Sequence, residues 1–338
     1  MTHRYELPKL PFEKITTYSL QERNNLVDCR DFVSLRRWQE SGDFRDLLPN
    51  LLKAQELLAV VEAVLRARDR GRPVIAALGG HVIKCGLSPL IIDLMRRGII
   101  RAVALSGAGA IHDYELALQG KTSEDVREGI REGRFGMAQE TAQQINEAIA
   151  GRVNEEIGIG EALGAEISHR TLPFRELSLL AVGYELAIPV TVHVAIGTDI
   201  VHMHPSADGG RMGQGSLNDF RLLTSAMAAL DGGGCYLNVG SAVLLPEVFL
   251  KALTLLRNLG HPLEDFVTVN LDMLQHYRPT VNVVSRPHQG GPGKGYALTG
   301  HHEIMLPLLY FLLVSRLDQE SGKGAASTMQ LCQTSQKL

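Results

Sequence analysis

Cysteine is scarce: Cys29, Cys85, Cys235 and Cys332 are the four in 338 residues, and no two form a C-x-x-C pair. That spacing suggests neither a disulfide framework nor a cysteine zinc site, and it fits a reducing, cytoplasmic compartment. An excess of charge of one sign is missing too. Lys and Arg number 34 against 37 Asp and Glu, a formal net charge of −3, without the positive surplus that holds a phosphate backbone. Nucleic acid is therefore not an expected partner. Long apolar runs are absent: the most apolar stretch, residues 304–314, carries Pro307 and falls short of the roughly 20 residues a bilayer requires. It reads as a buried core helix, and no membrane association is expected. Residues 1–14 alternate charges with prolines, unlike a secretory leader. Neither G-x-G-x-x-G nor G-x-x-x-x-G-K-[ST] occurs, which disfavours an ordinary dehydrogenase and a P-loop NTPase.

Hydrophobic residues at 45% and charged residues at 21% are those of a globular chain with a large core. Leu51, Leu52, Leu58, Val61, Val64 and Leu65 recur at spacings of three and four, which predicts an amphipathic helix over 47–68, ended by Gly71-Arg72-Pro73. Short apolar or β-branched runs follow at 74–78, 102–105, 189–195, 235–239, 266–270 and 281–285, and helical patterns separate most of them. A helix is expected at 88–97 behind Ser88-Pro89, another from Asp113, and a third from Leu217 after the glycine-bearing loop 208–216. Strands alternating with helices imply parallel pairing and right-handed crossovers. The expected fold is an α/β, Rossmann-like doubly wound parallel sheet with an N-terminal helical arm. The arm and its helix take residues 1–72, the sheet domain 73–316 with a helical insertion at 121–166, and a polar, flexible tail 317–338.

In such a sheet ligands bind at the carboxyl ends of the strands, where helix N-termini and loop amides converge. Glycines there accept positive φ and let a ligand approach the backbone. The rule selects residues 79–86, 106–113, 197–199 with the histidines that follow, 240–241, 270–272 and 286–303. His204, His288 and His301 are the candidate proton carriers. Lys294, in the glycine-rich stretch 290–295, is the candidate amine. A second reading uses His202-Met203-His204 with Asp208: H-x-H on an extended chain puts both imidazoles on one side, so the three could hold zinc or a similar divalent metal for a hydrolase or lyase.

The order of these loops resembles the deoxyhypusine synthase family, an NAD-dependent transferase fold, from about Pro73 to Leu313. Residues 79–86 are similar to the family's first NAD loop, and Leu105-Ser106-Gly107-Ala108-Gly109 with Asp113 resembles its T-T-A-G-G segment with trailing acids. Thr198-Asp199 falls where the family has a cofactor-contacting Thr-Asp, Gly232-Gly233-Gly234 matches its triple glycine, and Val269-Asn270 resembles its Ile-Asn. The resemblance implies NAD as cofactor, with Gly79, Gly80, His81, Ser106, Gly107, Ala108, Asp113, Asp199, Gly233 and Asn270 around it. It also implies a homo-oligomer, possibly a tetramer. One departure is chemical. The family lysine that forms an imine beyond an Arg-Pro pair corresponds here, counting from Arg278-Pro279, to Pro287 or His288, and neither offers a primary amine. The expected function is accordingly a nicotinamide-dependent enzyme on a small polar or amine substrate, or a dinucleotide sensor without chemistry.

Overall fold

The computed structural model describes residues 10–320. The chain divides into two compact units, Met1–Ala54 and Gln55–Leu338. The first holds short 3₁₀ turns and α1 (Leu35–Ser41), whose N-cap Ser34 accepts from the Arg37 N–H and whose end is closed by Gly42 in the left-handed region. The helix read from the sequence at 47–68 is α2 (Leu52–Asp69), and it leads into the sheet.

The second unit is built around six strands. These are β1 (Val74–Leu78), β2 (Ile100–Ser106), β3 (Val190–His193), β4 (Gly234–Val239), β5 (Phe266–Asp272) and β6 (Lys294–Thr299). All neighbours pair in parallel, in the order β3-β2-β1-β4-β5-β6. This is the doubly wound order of a dinucleotide-binding sheet, with its switch point between β1 and β4. β1 and β4 are buried along their whole length, as strands covered on both faces by helices must be.

Between β1 and β2 lie α3 (Gly80–Lys84) and α4 (Ser88–Arg96); α5 (Gly107–Gln119), α6 (Val126–Glu132), α7 (Gln139–Arg152), α8 (Ile159–His169) and α9 (Leu179–Glu185) separate β2 from β3. The other half carries α10 (Gly209–Met227), α11 (Leu244–Asn258), the three-residue α12 (Tyr277–Pro279) and the final α13 (His302–Glu320). No helix among the described residues is long and apolar enough to cross a membrane. Tyr236 and Phe266 on the sheet meet Phe249, Leu253 and Leu256 of α11 and Leu223 and Met227 of α10 in the core.

The structure departs from the sequence reading at three elements. Residues 281–285 form no strand. Thr280–Ser285 is a π-helix turn, and the sixth strand comes from Lys294–Thr299, the stretch read as a flexible loop. Gly295 allows this: a Cβ there would lie 1.9 Å from the Val284 carbonyl oxygen, so the strand can run against the π turn. Secondly, α10 starts at Gly209 rather than near Leu217, and its Gly215 is a contact point at which a Cβ would meet Ile159 at 2.8 Å. Thirdly, Gly107 and Gly109 belong to the first turn of α5, which begins six residues before Asp113. In each case a glycine that reads as a break in the pattern is the small residue that close packing needs. Of the polar tail, residues 317–320 continue α13 and the remainder lies outside the described residues.

Asp219 secures the β3 edge. From α10 its buried Oδ2 accepts from the Val192 N–H of β3 (2.8 Å) and the Gly160 N–H of α8 (2.9 Å), while Oδ1 has no partner. The outward donor of an edge strand is thus satisfied by a carboxyl instead of a seventh strand. Burial pushes this carboxyl up to about 7, against the opposing effect of the backbone donors. The folded state therefore keeps a proton that the unfolded chain releases near the ordinary carboxylate pKa. The contribution of Asp219 to stability is complete below that value and is lost as pH rises through about 7. Urea unfolding at about pH 5 and about pH 8 is expected to show a loss on the order of 3 kcal/mol from this residue, which Asp219→Asn abolishes. An unchanged pH slope in the variant would count against the assignment.

Candidate functional site

The ends of the strands align: Leu78 pairs with Leu105 and Val239, Val239 with Leu271, and Asp272 with Thr299. The loops that follow all six strands therefore open on one edge. At the switch point two backbones touch. A Cβ on Gly79 would lie 2.0 Å from the Gly240 carbonyl oxygen, and Gly240 has φ +68°, so neither position tolerates a side chain. Gly79 also donates its N–H to the Val239 carbonyl (2.8 Å), and Gly240 donates to that of Leu271 (3.1 Å).

Beneath this contact runs a chain of buried amides. Asn238 Nδ2 donates to Asn270 Oδ1 (2.7 Å) and to the Ser241 carbonyl, Asn270 Nδ2 to Gln275 Oε1 (2.7 Å), and Gln275 Nε2 to the Leu298 carbonyl. Asn270 thereby ties the ends of β4, β5 and β6. Asn238 Oδ1 is buried and without a partner. His302, at the start of α13, is buried as well; neither ring nitrogen makes a well-formed hydrogen bond, Nε2 stands 3.6 Å from Asp272 Oδ1, and its ring meets that of His81 edge-on at 5.4 Å. Burial holds the His302 imidazole below the ordinary histidine range although Asp272 and the Leu271 backbone work the other way.

On the β2 side the chain satisfies its own helix terminus. Ser106 caps α5 by accepting from the Gly109 N–H (3.2 Å). Asp199, on the β3 loop, accepts from the Ala108 N–H and sits so close to Gly107 that a Cβ there would lie 2.0 Å from its Oδ2. Burial raises the Asp199 carboxyl, and His202 and Ala108 oppose the shift. A carboxylate thus stands where a phosphate would otherwise meet the α5 amides.

Beside this helix lies a cavity of about 460 Å³ whose polar lining includes Lys84, His112, Glu115, Lys121, Thr122 and Asp199. Thr122 Oγ1 donates to Glu115 Oε2 (2.5 Å) and stands 2.7 Å from His112 Nδ1, while Thr141 donates to Glu115 Oε1 (3.0 Å). Burial works to raise the Glu115 carboxyl, but the nearby His112 and the hydroxyl bonds from Thr122 and Thr141 hold it below the ordinary carboxylate range. Because the Thr122 proton goes to Glu115, its oxygen accepts from His112 Nδ1–H, which leaves the lone pair on Nε2. The sequence reading placed His112 in a strand-end loop without a role and missed Glu115, Thr122 and Thr141. Their signal was a single helical turn, His112 and Glu115 at i, i+3, followed by a threonine.

Several expected site residues lie elsewhere. Lys294 pairs with Val267 at the start of β6, about 16 Å of strand away from the carboxyl edge. His288 is at that amino end too, its Nε2 2.7 Å from Thr268 Oγ1 and its ring against Phe266; burial first, then Arg257, pushes it down to about 4. Gly233, before β4, donates its N–H to the Asp265 carbonyl at the same end. Asp113 is buried and caps α9, accepting from Ser178 Oγ and the N–H groups of Leu179 and Leu180; burial raises it to about 6 against those bonds. These four are corrections of place. For Lys294 and His288 the reason is that the strand assigned to 281–285 lies at 294–299, whereas Gly233 precedes β4 and Asp113 lies inside α5 and faces the start of α9.

The metal reading of the histidine loop also changes. His202 closes a 3₁₀ turn rather than extending a strand, and its Nδ1 accepts from the Gly197 and Asp199 N–H groups (3.1 and 3.2 Å). His204 Nδ1 engages Ser206 Oγ (2.7 Å), and Asp208 caps α10 through the Arg211 N–H. Their atoms do not converge. Among the described residues one trio has converging donor atoms: His81 and Cys85 of α3 with Glu303 of α13. His81 and His301 are at the carboxyl edge, as expected, and His301 Nδ1 lies 3.8 Å from Glu303 Oε1.

No protein-family model matches the chain, and no curated protein matches it. Solved structures do. Unliganded AgrE is similar at a TM-score of 0.51 and 16% identity, over 77% of this chain and 32% of that one. A conserved LOR/SDH protein from Methanococcus maripaludis S2 matches at 0.49 and 17% identity, over 79% and 71%. A deoxyhypusine synthase-like protein from Entamoeba histolytica matches at 0.48 and 8% identity, over 82% and 95%. The chain spans about a third of the length of AgrE. The relation to known proteins is one of fold.

The Gly107–Asp199 contact yields a double-mutant test. Gly107→Ala is expected to cost about 1–3 kcal/mol by overpacking against the carboxylate, and the same change in an Asp199→Ala background to cost close to nothing. Additive losses in thermal unfolding would place Asp199 away from the helix terminus.

Proposed function

We propose that the carboxyl-edge crevice binds NAD and that the protein is a nicotinamide-dependent enzyme acting on a small amine-bearing substrate held in the neighbouring cavity. The observation that carries this is the switch point itself: strand order reverses between β1 and β4, and there Gly79 and Gly240 meet without room for a side chain. A cradle that a Cβ would fill, with the unpartnered Asn238 Oδ1 beneath it and buried His302 beside it, fits a dinucleotide. The 15-residue α11 begins on this crevice with the neutral Ser241 hydroxyl at its Leu245 N–H (3.3 Å) and no carboxyl on its first amides, so its N-terminus favours the pyrophosphate, whereas α5 is closed by Asp199. AgrE, a likeness of fold alone, forms a ternary complex with ornithine and NAD+; the present reading rests on the crevice.

NAD supplies a hydride acceptor. The residues of this chain supply the rest. Glu115, kept ionised by its hydroxyl partners, offers a fixed negative charge to an ammonium group, and Lys84 and Lys121 on the same wall suit a carboxylate. His112 Nε2, its tautomer set by the Thr122–Glu115 relay, takes the proton from the substrate nitrogen or oxygen. Reading the cavity this way makes a small amino acid or diamine the substrate class. Among the earlier catalytic candidates His301 and His204 stay on the strand-end loops, and Lys294 and His288 do not enter.

Calorimetry and thermal unfolding test both parts. Saturable NAD binding is expected, with stabilisation of about 2.7 kcal/mol at 100 times Kd, unchanged in Lys294→Ala. In a screen of small amines for NADH fluorescence, His112→Ala is expected to lower turnover by about 10²–10⁴ while leaving NAD affinity intact. Failure of millimolar NAD to bind or stabilise the protein refutes the dinucleotide reading; binding without turnover on any amine refutes the substrate reading and favours a sensor.

A further inference from the structure

The trio at the mouth of the crevice has no part in the reading above. His81 and Cys85 sit four residues apart, one on α3 and one at its C-cap, and so project to one side of a single turn. The turn that follows β6 brings Glu303, 218 residues distant, to the same point. Cys85 Sγ lies 3.2 Å from His81 Nε2 and 3.9 Å from Glu303 Oε2. Donors around a tetrahedral zinc, at about 2.3 Å for sulfur and about 2.0–2.2 Å for nitrogen and oxygen, stand roughly 3.5 Å apart. The two separations bracket that value. All three donor atoms lie within 4.8 Å of one another, a spread that small side-chain movements close on one ion.

A second feature bears on the same place. His302, buried, with Asp272 Oδ1 3.6 Å from its Nε2 and neither ring nitrogen in a well-formed hydrogen bond, abuts the His81 ring. It stands directly behind a candidate metal ligand, packed against its ring. The two faces of the trio also differ. His302 and Gly240 close the inner side, whereas His81 and Glu303 are exposed on the outer side, which leaves a coordination position toward solvent and the crevice.

We infer that His81, Cys85 and Glu303 form a three-ligand site for a borderline-soft divalent transition metal such as zinc, with a fourth position open to water or a substrate oxygen or nitrogen. One thiolate, one imidazole and one carboxylate suit such an ion and disfavour magnesium or calcium, which prefer oxygen. Binding forms the metal–sulfur bond and releases the thiol proton to solvent; no oxidant or reductant takes part. The site does not depend on the dinucleotide reading, since all three ligands and His302 come from this chain.

The test uses the full chain, stripped with a chelator and free of nucleotide, titrated with Co²⁺ and followed by absorbance. One equivalent is expected to bind, with a thiolate-to-cobalt charge-transfer band in the near ultraviolet and the strong visible bands of a four-coordinate ion, both displaced by Zn²⁺. Cys85→Ser is expected to remove the charge-transfer band. Glu303→Gln and His81→Gln are expected to weaken cobalt binding at least tenfold, while Cys29→Ser and the His202→Ala/His204→Ala pair change nothing. Glu303 is exposed, so its variant keeps the measurement meaningful should the α3 changes disturb folding. Absence of the band in the unaltered protein, its survival in Cys85→Ser, or its loss on altering Cys29 or the His202 loop overturns the site.

Discussion

Two glycine backbones in contact set the position of everything else at the functional edge. Where Gly79 leaves β1 and Gly240 leaves β4, the Cα of one faces the carbonyl of the other at a distance that excludes any Cβ. The sheet divides there, with β2 and β3 on one side and β5 and β6 on the other. A crevice at this point is bordered by backbone instead of side chains, so a ligand can approach peptide groups directly. The helices that leave it are fixed by the strands before them, and the first residues of α3, α5, α11 and α13 are consequently held at one edge.

Buried carboxyl groups then decide which termini remain open. Asp113 is committed to α9, Asp219 to α8 and β3, and Asp199 to α5. Each replaces water at backbone donors inside the protein, and each has its pKa raised by burial. That is the cost of holding a carboxyl away from solvent. No carboxyl caps α11 in this way; its Leu245 N–H meets the uncharged Ser241 hydroxyl. Glu115 behaves in the opposite sense because three side-chain donors surround it, and it keeps a negative charge facing the cavity. The electrostatic pattern is one of carboxyl-capped termini beside the retained Glu115 anion, with Lys84 and Lys121 nearby.

Much of this was legible in the residues. Five of the six strands, their parallel alternation with helices, and the loops at 79–86, 106–113, 197–199 and 240–241 follow from β-branched runs closed by glycine. The misplacements share one cause: at Gly215 and Gly295 glycine marks close packing, at which a Cβ would meet Ile159 or the Val284 carbonyl, and a pattern reader takes it for a break. Losing β6 to a loop carried Lys294 and His288 to the wrong end of the sheet. The histidine loop misled for a different reason, since H-x-H is informative only on an extended chain and His202 sits in a 3₁₀ turn. Cys85 and Glu303 could not be paired from sequence, because their meeting depends on β6 lying beside β5.

Amide hydrogen exchange with and without saturating NAD bears most directly on the crevice. Protection should rise in residues 79–87 and 239–246, at the ends of β1 and β4, and stay unchanged at the amino edge around 231–235 and 286–294. Protection confined to the amino edge, or none anywhere at saturation, would contradict the placement of the binding crevice at the β1–β4 switch point.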